Sequence, residues 1–257
     1  MGTFNVRVVT SSDTGENAWE NRKERVLRSI RDNDFDFFGL NECSSAIQTY
    51  LEGQLKNEYD IQFFSPYSQD GNGDKAQGLA FRKVFTLSDW HYFWLSDTPA
   101  VMTTNDGNMN RGGCCGILTR KSTGRKIFVM VTHGALDSDT RSKYASLYQE
   151  MEQLYNPDGY PSFFVGDMNA RPSGAASVAY RRYWSDAYYG VGASGRSGPA
   201  ATYNGFDLDL DLYSSESRID YIYYRGATPQ NYVCNDTRYD GYYASDHLPV
   251  YSDMKIN

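Results

Sequence analysis

The sequence lacks the long apolar runs and the surplus of positive charge that mark membrane proteins and general nucleic-acid coats. No apolar run in its 257 residues approaches the roughly 18 to 20 residues that a membrane-spanning helix needs. Lys and Arg number 25 against 32 Asp and Glu, which gives a net charge of −7. A strongly cationic nucleic-acid coat is therefore excluded, although a local basic groove is not. With 40% hydrophobic and 15% aromatic residues, the chain can bury a core.

Cysteine is scarce as well, and the few cysteines are not spaced as zinc ligands. No C-x-x-C pair occurs, which gives a cysteine-rich zinc site little support. The sequence leaves open whether two of the four form a long-range disulfide or all four stay as thiols, at Cys43, Cys114, Cys115 and Cys234. G-x-S-x-G and P-loop motifs are also missing, which disfavours a serine hydrolase and an ATPase.

The chain alternates predicted strands with predicted helices. Apolar periodicity predicts helices over 20–31, 44–55 and 139–155. Short apolar runs predict strands that include 3–9, 35–41, 126–132, 162–165 and 219–224. Because strands outnumber helices, the pattern favours an α/β layered sandwich over a simple doubly wound sheet. No Pro/Ser-rich linker divides the chain, so we expect one domain over residues 1–257.

Polar side chains stand where several of these short apolar strands end. The residues are Glu42, His133, Asp167, Asn169, Asp220, Asp246 and His247. In layered α/β folds, ligands bind at strand ends and in the loops beyond them. Carboxylate and amide oxygens are hard ligands that suit Mg²⁺ or Mn²⁺, and an imidazole–carboxylate pair can orient or activate water. The pattern therefore predicts metal-assisted phosphoester hydrolysis, in which the cation offsets the charge that develops at phosphorus.

Six segments carry a resemblance to a known family. They are TFNVR at 3–7, GLNE at 39–42, THG at 132–134, GDMN at 166–169, RIDYIY at 218–223 and SDHLPV at 245–250. In this order they resemble the endonuclease/exonuclease/phosphatase superfamily, which includes deoxyribonuclease I, and they span nearly the whole chain. The stretches at 16–26 and 93–99 look more like a bacterial metal-dependent hydrolase subgroup. The resemblance implies a four-layered α-β-β-α sandwich, with two stacked mixed β-sheets and outer helices.

The resemblance also implies a site for a divalent cation. Glu42 would bind the catalytic Mg²⁺ or Mn²⁺, and Asn5 and Asp246 would lie close to it. The chain reads Gly-Leu-Asn-Glu where many relatives of the subgroup read Gly-Leu-Gln-Glu, which shortens one amide and keeps the glutamate.

Five further residues receive catalytic roles from the same resemblance. Asp167 and Asn169 would orient the attacking water or a second ion and would hold the phosphate. His247 would pair with Asp220 as an imidazole–carboxylate dyad near the scissile phosphate, and His133 would donate to a phosphoryl oxygen. Whether Asp167 or the dyad activates the water stays open at this stage.

Two departures from the family pattern concern the surroundings of His133. Relatives often read Thr-His-Leu-Asp-His after the central strand, whereas here Gly134 follows the histidine and the second histidine is missing. Some relatives carry a glutamate partner for the central histidine. Near the expected place this chain reads Ala76-Gln77-Gly78, so no carboxylate partner is assigned to His133.

Four residues near the family motifs are predicted to bind substrate. They are Arg22, Arg111, Tyr203 and Asn204. An arginine presents a planar fork that matches phosphate, and an aromatic ring can line a sugar pocket. The alternative interpretation for Arg22 is a solvated residue of the first helix. The acidic balance favours a small phosphoester, such as a sugar or lipid phosphate, as the partner.

Two other hypotheses stand beside this one. A DNA or RNA endo- or exonuclease of the same fold agrees with the motifs, but the charge does not favour nucleic acid, because tight duplex binding depends on many Lys and Arg contacts. A catalytically silent binding domain is the hypothesis from a different class, and the intact motif residues argue against it. We expect a monomer without a transmembrane segment. The compartment is left open, with export after removal of a leader favoured over the cytoplasm.

Overall fold

The computed structural model describes residues 1–67, 75–106 and 109–257, with the backbone alone for residues 104–106. The α-helices within these ranges are α1 (Trp19–Asp32), α2 (Ser45–Leu55), α3 (Ser138–Lys143), α4 (Leu147–Tyr155), α5 (Ala175–Tyr180) and α6 (Ala187–Gly190). The strands are β1 (Gly2–Asn5), β2 (Phe37–Cys43), β3 (Tyr59–Phe64), β4 (Ala76–Arg82), β5 (Phe85–Trp94), β6 (Thr104–Asp106), β7 (Met109–Asn110), β8 (Gly112–Arg120), β9 (Lys126–His133), β10 (Ser162–Asp167), β11 (Ser185–Asp186), β12 (Arg196–Ser197), β13 (Asp220–Arg225), β14 (Ala227–Pro229), β15 (Tyr232–Cys234), β16 (Val250–Tyr251) and β17 (Met254–Ile256).

Two mixed β-sheets form the centre of the fold. The first has the strand order β12-β15-β16-β1-β2-β4-β3, and the second has the order β11-β13-β10-β9-β8-β5. β1 runs parallel to β2, and β9 runs parallel to β10, whereas β2 pairs with β4 and β10 pairs with β13 in antiparallel fashion. Helices connect both parallel pairs, as a parallel crossover requires.

Three apolar clusters show how the layers stack. One lies between the sheets and joins Leu79 of the first sheet to Val131 and Val165 of the second. A second cluster packs α1 and α2 on the outer face of the first sheet, and a third packs α4 and α5 on the outer face of the second. The sheets approach so closely that a Cβ atom at Gly39 would lie 2.8 Å from Val165. This arrangement confirms the predicted four-layered α-β-β-α sandwich.

The predicted helix over 139–155 is wrong in one respect, because the structure contains two helices there. Asp137 caps the first, since its carboxylate accepts a hydrogen bond from the backbone N–H of Thr140 at 2.7 Å. The chain leaves helical geometry at Tyr144, and α4 begins at Leu147. The apolar spacing is helical throughout, but the break buries Ala145 against the second sheet, and tertiary packing outweighs local propensity.

All four cysteines are free and buried. Cys114 belongs to the cluster between the sheets and Cys115 to the outer cluster, so their side chains point to opposite faces of β8. Burial raises the pKa of both thiols. The thiol alternative is therefore the one that the structure contains. Among the described residues no helix is both long and apolar enough to cross a membrane.

Candidate active site

The register of the strands brings the predicted polar ends into one row. In the first sheet, parallel pairing of β1 and β2 places Asn5 beside Asn41. In the second, β9 and β10 place His133 beside Asp167, and β13 places Asp220 on the other side of Asp167. Asn41 ties the two sheets together at this edge. Its amide donates to the carbonyl of Thr132 at 2.9 Å, and its oxygen accepts from the backbone N–H of Asp167 at 3.0 Å.

His247 and Asp220 form a buried pair at the centre of this edge. The His247 Nδ1 and Asp220 Oδ2 atoms lie 2.8 Å apart, and the Thr202 hydroxyl donates to the same oxygen at 2.6 Å. Burial lowers the pKa of His247, but the carboxylates of Asp220 and Asp167 outweigh burial and hold it well above its usual range. The predicted dyad is thus assembled, with the imidazole held between two acceptors.

Asp167 is the point at which the site residues converge. Its Oδ2 accepts from the Asn5 amide at 3.1 Å and lies 3.3 Å from His133 Nε2 and 3.7 Å from His247 Nε2. Its Oδ1 accepts from the backbone N–H of Asn169 at 2.8 Å. Burial raises the pKa of Asp167, but the two imidazoles and this hydrogen bond outweigh it, and the net shift is downward. The carboxylate therefore stays ionised at neutral pH.

Asn169 follows the strand end in a left-handed backbone conformation, with φ near 49°. Its amide nitrogen donates to the Gly134 carbonyl at 2.9 Å, and the Gly134 N–H donates to the Asp167 carbonyl at 2.7 Å. A Cβ atom at Gly134 would lie 2.3 Å from the carbonyl oxygen of Met168. The close approach of these two loops explains why a glycine follows His133 in this chain.

Glu42 and Asp246 lie on the open side of the same edge. Glu42 sits at a bulge of β2 with φ near 62°, and its Oε2 accepts from the backbone N–H of Val8 at 2.9 Å. Its Oε1 is 3.9 Å from His133 Nε2. Asp246 Oδ2 lies 3.5 Å from Arg7 Nη1. Burial and the nearby Glu42 carboxylate raise the pKa of Asp246, so the two acids are close enough to repel each other.

These residues fit a divalent cation. The half-buried carboxylate of Glu42 and the buried carboxylate of Asp246, with the amide of Asn5 near them, are hard oxygen donors whose charge a cation would offset. Ligand atoms of Asp167, Asp220 and His247 also lie within 4.8 Å of one another. In that group, however, Asp220 Oδ2 is already bonded to His247 and to a hydroxyl. The second oxygen of Asp220, Oδ1, has no partner among the described residues. Glu42 and Asp246 are the other candidate ligand pair.

Comparison with known proteins agrees with this geometry. The family model described as Endonuclease/Exonuclease/phosphatase family matches residues 2–247. The chain belongs to this family. Its members are phosphoester hydrolases, and they generally use divalent metals. No curated protein sequence matches the chain at a significant level.

Solved structures share the fold at low sequence identity. A conserved protein of unknown function from Enterococcus faecalis has a TM-score of 0.90 at 22% identity, covering 100% of this chain and 99% of its own. An endonuclease/exonuclease/phosphatase family protein from Bacteroides thetaiotaomicron has a TM-score of 0.90 at 24% identity, covering 100% and 97%. A mannosyl-6-phosphatase from the same organism has a TM-score of 0.86 at 24% identity, covering 98% of each chain. These likenesses establish the fold.

Arg22, predicted to bind substrate, is enclosed by the protein in the structure. Its side chain is fully buried, and each guanidinium nitrogen donates to a backbone carbonyl, among them those of Val6 and Ala244. Burial lowers its pKa to about 10. Arg22 therefore braces the segments that carry Asn5 and Asp246. The spacing of four residues to Val26 already places Arg22 on the buried stripe of α1.

Asn204 also holds neighbouring segments of the chain together through hydrogen bonds. Its amide nitrogen donates to the Ser245 carbonyl at 3.1 Å, its side-chain oxygen accepts from the backbone N–H of Phe206 at 2.7 Å, and its own N–H donates to the Asp246 carbonyl at 2.8 Å. Both ends of the buried amide are thus engaged by the protein beside Asp246, and a contact of Asn204 with substrate stays a prediction.

Tyr203 and Arg111 occupy different positions. Tyr203 is 39% exposed, and its ring packs edge-on against His247 with 5.1 Å between centroids. It forms a wall of the site, and its contact with substrate stays a prediction. Arg111 is buried beside Met109, with 3.7 Å between Nη2 and the thioether sulfur. A substrate contact of Arg111 likewise stays a prediction.

Two features of the site were missed by reasoning from the sequence. Arg7, within the TFNVR segment, forms a two-point ion pair with Asp13 at 2.9 and 3.0 Å while also approaching Asp246. Gln77 donates to the Gly112 carbonyl at 2.8 Å, but its buried oxygen and the buried Nδ1 of His133 have no hydrogen-bond partner among the described residues. Among the described residues, the carboxylates near His133 therefore face its Nε2, and none partners its Nδ1.

Proposed function

We propose that this protein is a Mg²⁺- or Mn²⁺-dependent phosphoester hydrolase that acts on a small phosphoester by in-line attack of water. The observation that carries the proposal is the convergence of three side chains from different segments on the Asp167 carboxylate. Its carboxylate lies within 3.7 Å of donors from Asn5, His133 and His247. Such a set of donors around one ionised carboxylate suits a reaction in which negative charge develops at a single centre.

The cation would be held by Glu42 and Asp246, with Asn5 beside them. A divalent ion bound there supplies Lewis-acid neutralisation of a phosphoryl oxygen. Val8 holds one oxygen of Glu42 through its backbone N–H. The Ser245 hydroxyl donates to the Asn5 carbonyl at 2.7 Å and lies 3.3 Å from Asp246 Oδ1. These contacts orient the ligands before any ion arrives, which supports the assignment.

The remaining residues act on the phosphate and on the attacking water. Both ring nitrogens of His247 face carboxylates, so the imidazole is placed to donate rather than to accept. We therefore assign the orientation and deprotonation of water to Asp167, and the stabilisation of phosphoryl oxygens to His133, His247 and Asn169. Asp220 keeps His247 in the required orientation.

A small substrate is favoured over nucleic acid. The net charge of −7 opposes the long row of phosphate contacts that tight duplex binding uses. A structural relative with the same layers is a mannosyl-6-phosphatase. We therefore propose a sugar or lipid phosphate as the substrate class, with diester and monoester cleavage to be separated by assay.

Parallel assays with three substrates test the proposal. Bis-p-nitrophenyl phosphate, p-nitrophenyl phosphate and plasmid DNA are incubated with Mg²⁺, Mn²⁺ or EDTA. We expect metal-dependent turnover of at least one of the two small esters, and a loss of about 100-fold or more in His247→Ala, the scale of a lost proton donor.

The matched control is His91→Ala. His91 lies on β5 and stacks on Tyr155 of α4, with 4.1 Å between ring centroids. This variant should keep its activity. Equal rates with EDTA, or an equal rate in the His247 variant, would contradict the mechanism, and turnover of plasmid DNA alone would favour the nuclease hypothesis.

A further inference from the structure

A cavity of about 590 Å³ adjoins Asn169. This volume lies within the range of sites for small molecules, roughly 300 to 1,000 Å³. Its walls come from α3, from the loop after Asn169 and from the start of α5. A larger cavity, of about 840 Å³, opens at the opposite end of the sandwich, where none of the site residues lines it. The smaller cavity therefore extends the candidate active site.

The lining of this cavity is unlike the rest of the site. Two arginines and three serines contribute to it, and no acidic residue is among the described residues that line it; the five are Arg141, Arg171, Ser138, Ser142 and Ser173. The chain has a net charge of −7, and the neighbouring centre contains four carboxylates, whereas the charge that lines this cavity is positive. The cavity offers donors to an anion rather than ligands to a cation.

Arg141 supplies a fixed positive charge. Its Nη1 donates to the carbonyls of Ala135 and Leu136 at 2.6 Å each, in the loop that follows His133. A guanidinium anchored in this way loses little conformational entropy when it binds a ligand. The anchor also couples the cavity to the loop that carries His133.

Arg171 supplies an accessible positive charge. Its side chain is 64% exposed, and its ion pair with Glu216 spans 3.7 Å between two exposed groups. Such exposed pairs contribute little to stability, so a ligand can replace Glu216 at small cost. Arg171 stands two residues after Asn169 in the sequence, and both residues line this cavity.

We propose that this cavity binds a second anionic group, a phosphate or a carboxylate, carried by the same substrate beyond the reacting phosphate. The inference rests on the proposed phosphoester hydrolase for its first phosphate and goes beyond it in naming the rest of the substrate. Guanidinium forks match the oxygens of phosphate and carboxylate, and the serine hydroxyls suit the hydroxyls of a sugar between the two groups. The substrate class is therefore a doubly anionic sugar phosphate.

The test compares glucose 1,6-bisphosphate with glucose 6-phosphate. Isothermal titration calorimetry in Mg²⁺ on a His247→Ala background gives the two dissociation constants without rapid turnover, and release of phosphate by the protein with His247 intact gives the two values of kcat/KM. We expect the bisphosphate to be preferred by about tenfold or more in both measurements, the scale of one charge-assisted contact. Arg171→Ala should remove most of this preference.

Two further variants sharpen the result. Glu216→Gln frees Arg171 and should increase the preference about twofold, whereas Arg182→Ala removes an exposed arginine outside the cavity and should leave the preference as it is. Equal dissociation constants for the two sugars, or a preference that survives Arg171→Ala, would overturn the inference even if hydrolysis persists. Absence of hydrolysis on every substrate would instead contradict the proposed function, and calorimetry would still decide the inference.

Discussion

Two buried charged pairs lie almost side by side at the start of β13, and they are built in opposite ways. Arg218 and Asp186 meet at 2.9 and 3.2 Å, and the same carboxylate caps α6 by accepting from the N–H of Tyr188. Two residues further along the chain, Asp220 meets His247 at 2.8 Å, but its Oδ1 is buried and has no partner among the described residues. Both oxygens of Asp186 have partners, so Arg218 and Asp186 are called the complete pair. One oxygen of Asp220 has no partner among the described residues, so Asp220 and His247 are not complete in this sense.

The surroundings of the two pairs also differ, because they are favourable for the charge of Arg218 and unfavourable for the charge of Asp220. The Arg218 guanidinium lies 4.5 Å from the ring centroids of both Tyr188 and Tyr221, so aromatic faces share its charge. The Asp220 carboxylate instead faces a second carboxylate, Asp167, which raises its pKa further after burial has already done so. The complete pair stabilises the fold. Asp220 and His247, called the crowded pair because Asp167 lies beside them, store unfavourable energy that a bound ligand can relieve. Such crowding is typical of functional sites.

The largest expected effect comes from breaking the complete pair. Asp186→Asn leaves a buried guanidinium uncompensated, and we expect a loss of about 3 to 5 kcal/mol in the free energy of unfolding. Urea denaturation followed by tryptophan fluorescence measures it. The double variant Asp186→Asn/Arg218→Met removes both charges and should recover part of the loss. A single variant as stable as the parent protein would contradict the contrast between the two pairs.

The opposite outcome is expected at the crowded pair. Asp220→Asn keeps the shape of the side chain but removes the charge that orients His247, so activity on the best ester should fall about 100-fold, equivalent to about 2.7 kcal/mol at 25 °C. Stability should stay within about 1 kcal/mol, because the repulsion from Asp167 disappears with the charge. Steady-state kinetics and urea denaturation on the same preparation separate the two readouts. A variant that loses stability but keeps activity would reverse the assignment.

The convergence of the site could be predicted from the sequence because strand ends are local features. Asp167 follows an apolar run directly, and pairing of parallel strands carries it to the same edge as His133. The interruption at Tyr144 could not be predicted, because the helical spacing continues through it and only packing against the second sheet distinguishes the two arrangements. The role of Asn204 depends on contacts with Ser245, 41 residues away, which no local pattern contains.

For Arg22, the alternative of a solvated helix residue is wrong, because the side chain is fully buried. Its position four residues before Val26 on α1 placed it on the buried stripe, and that signal was available in the sequence. The chemistry of arginine suggested phosphate instead. A buried arginine can also satisfy its donors with backbone carbonyls, as Arg22 does at Val6. Periodicity should therefore be weighed before side-chain chemistry when a charged residue lies on an amphipathic helix.

The smallest expected effect is the change in stability that Mg²⁺ causes when it binds the folded protein. If Glu42 and Asp246 hold Mg²⁺, then Mg²⁺ at about ten times its dissociation constant should stabilise the protein by about 1.4 kcal/mol, because a ligand that binds only the folded state contributes RT ln(1 + [L]/Kd). Thermal unfolding with Mg²⁺ and with EDTA measures the shift. Glu42→Gln should abolish it, since the variant loses one of the two ligand charges. The exposed Asp211 is the matched control, and Asp211→Asn should show the full shift. An equal shift in the Glu42 variant would place the cation elsewhere, at the group of Asp167, Asp220 and His247, and the crowded pair would then itself be a metal site.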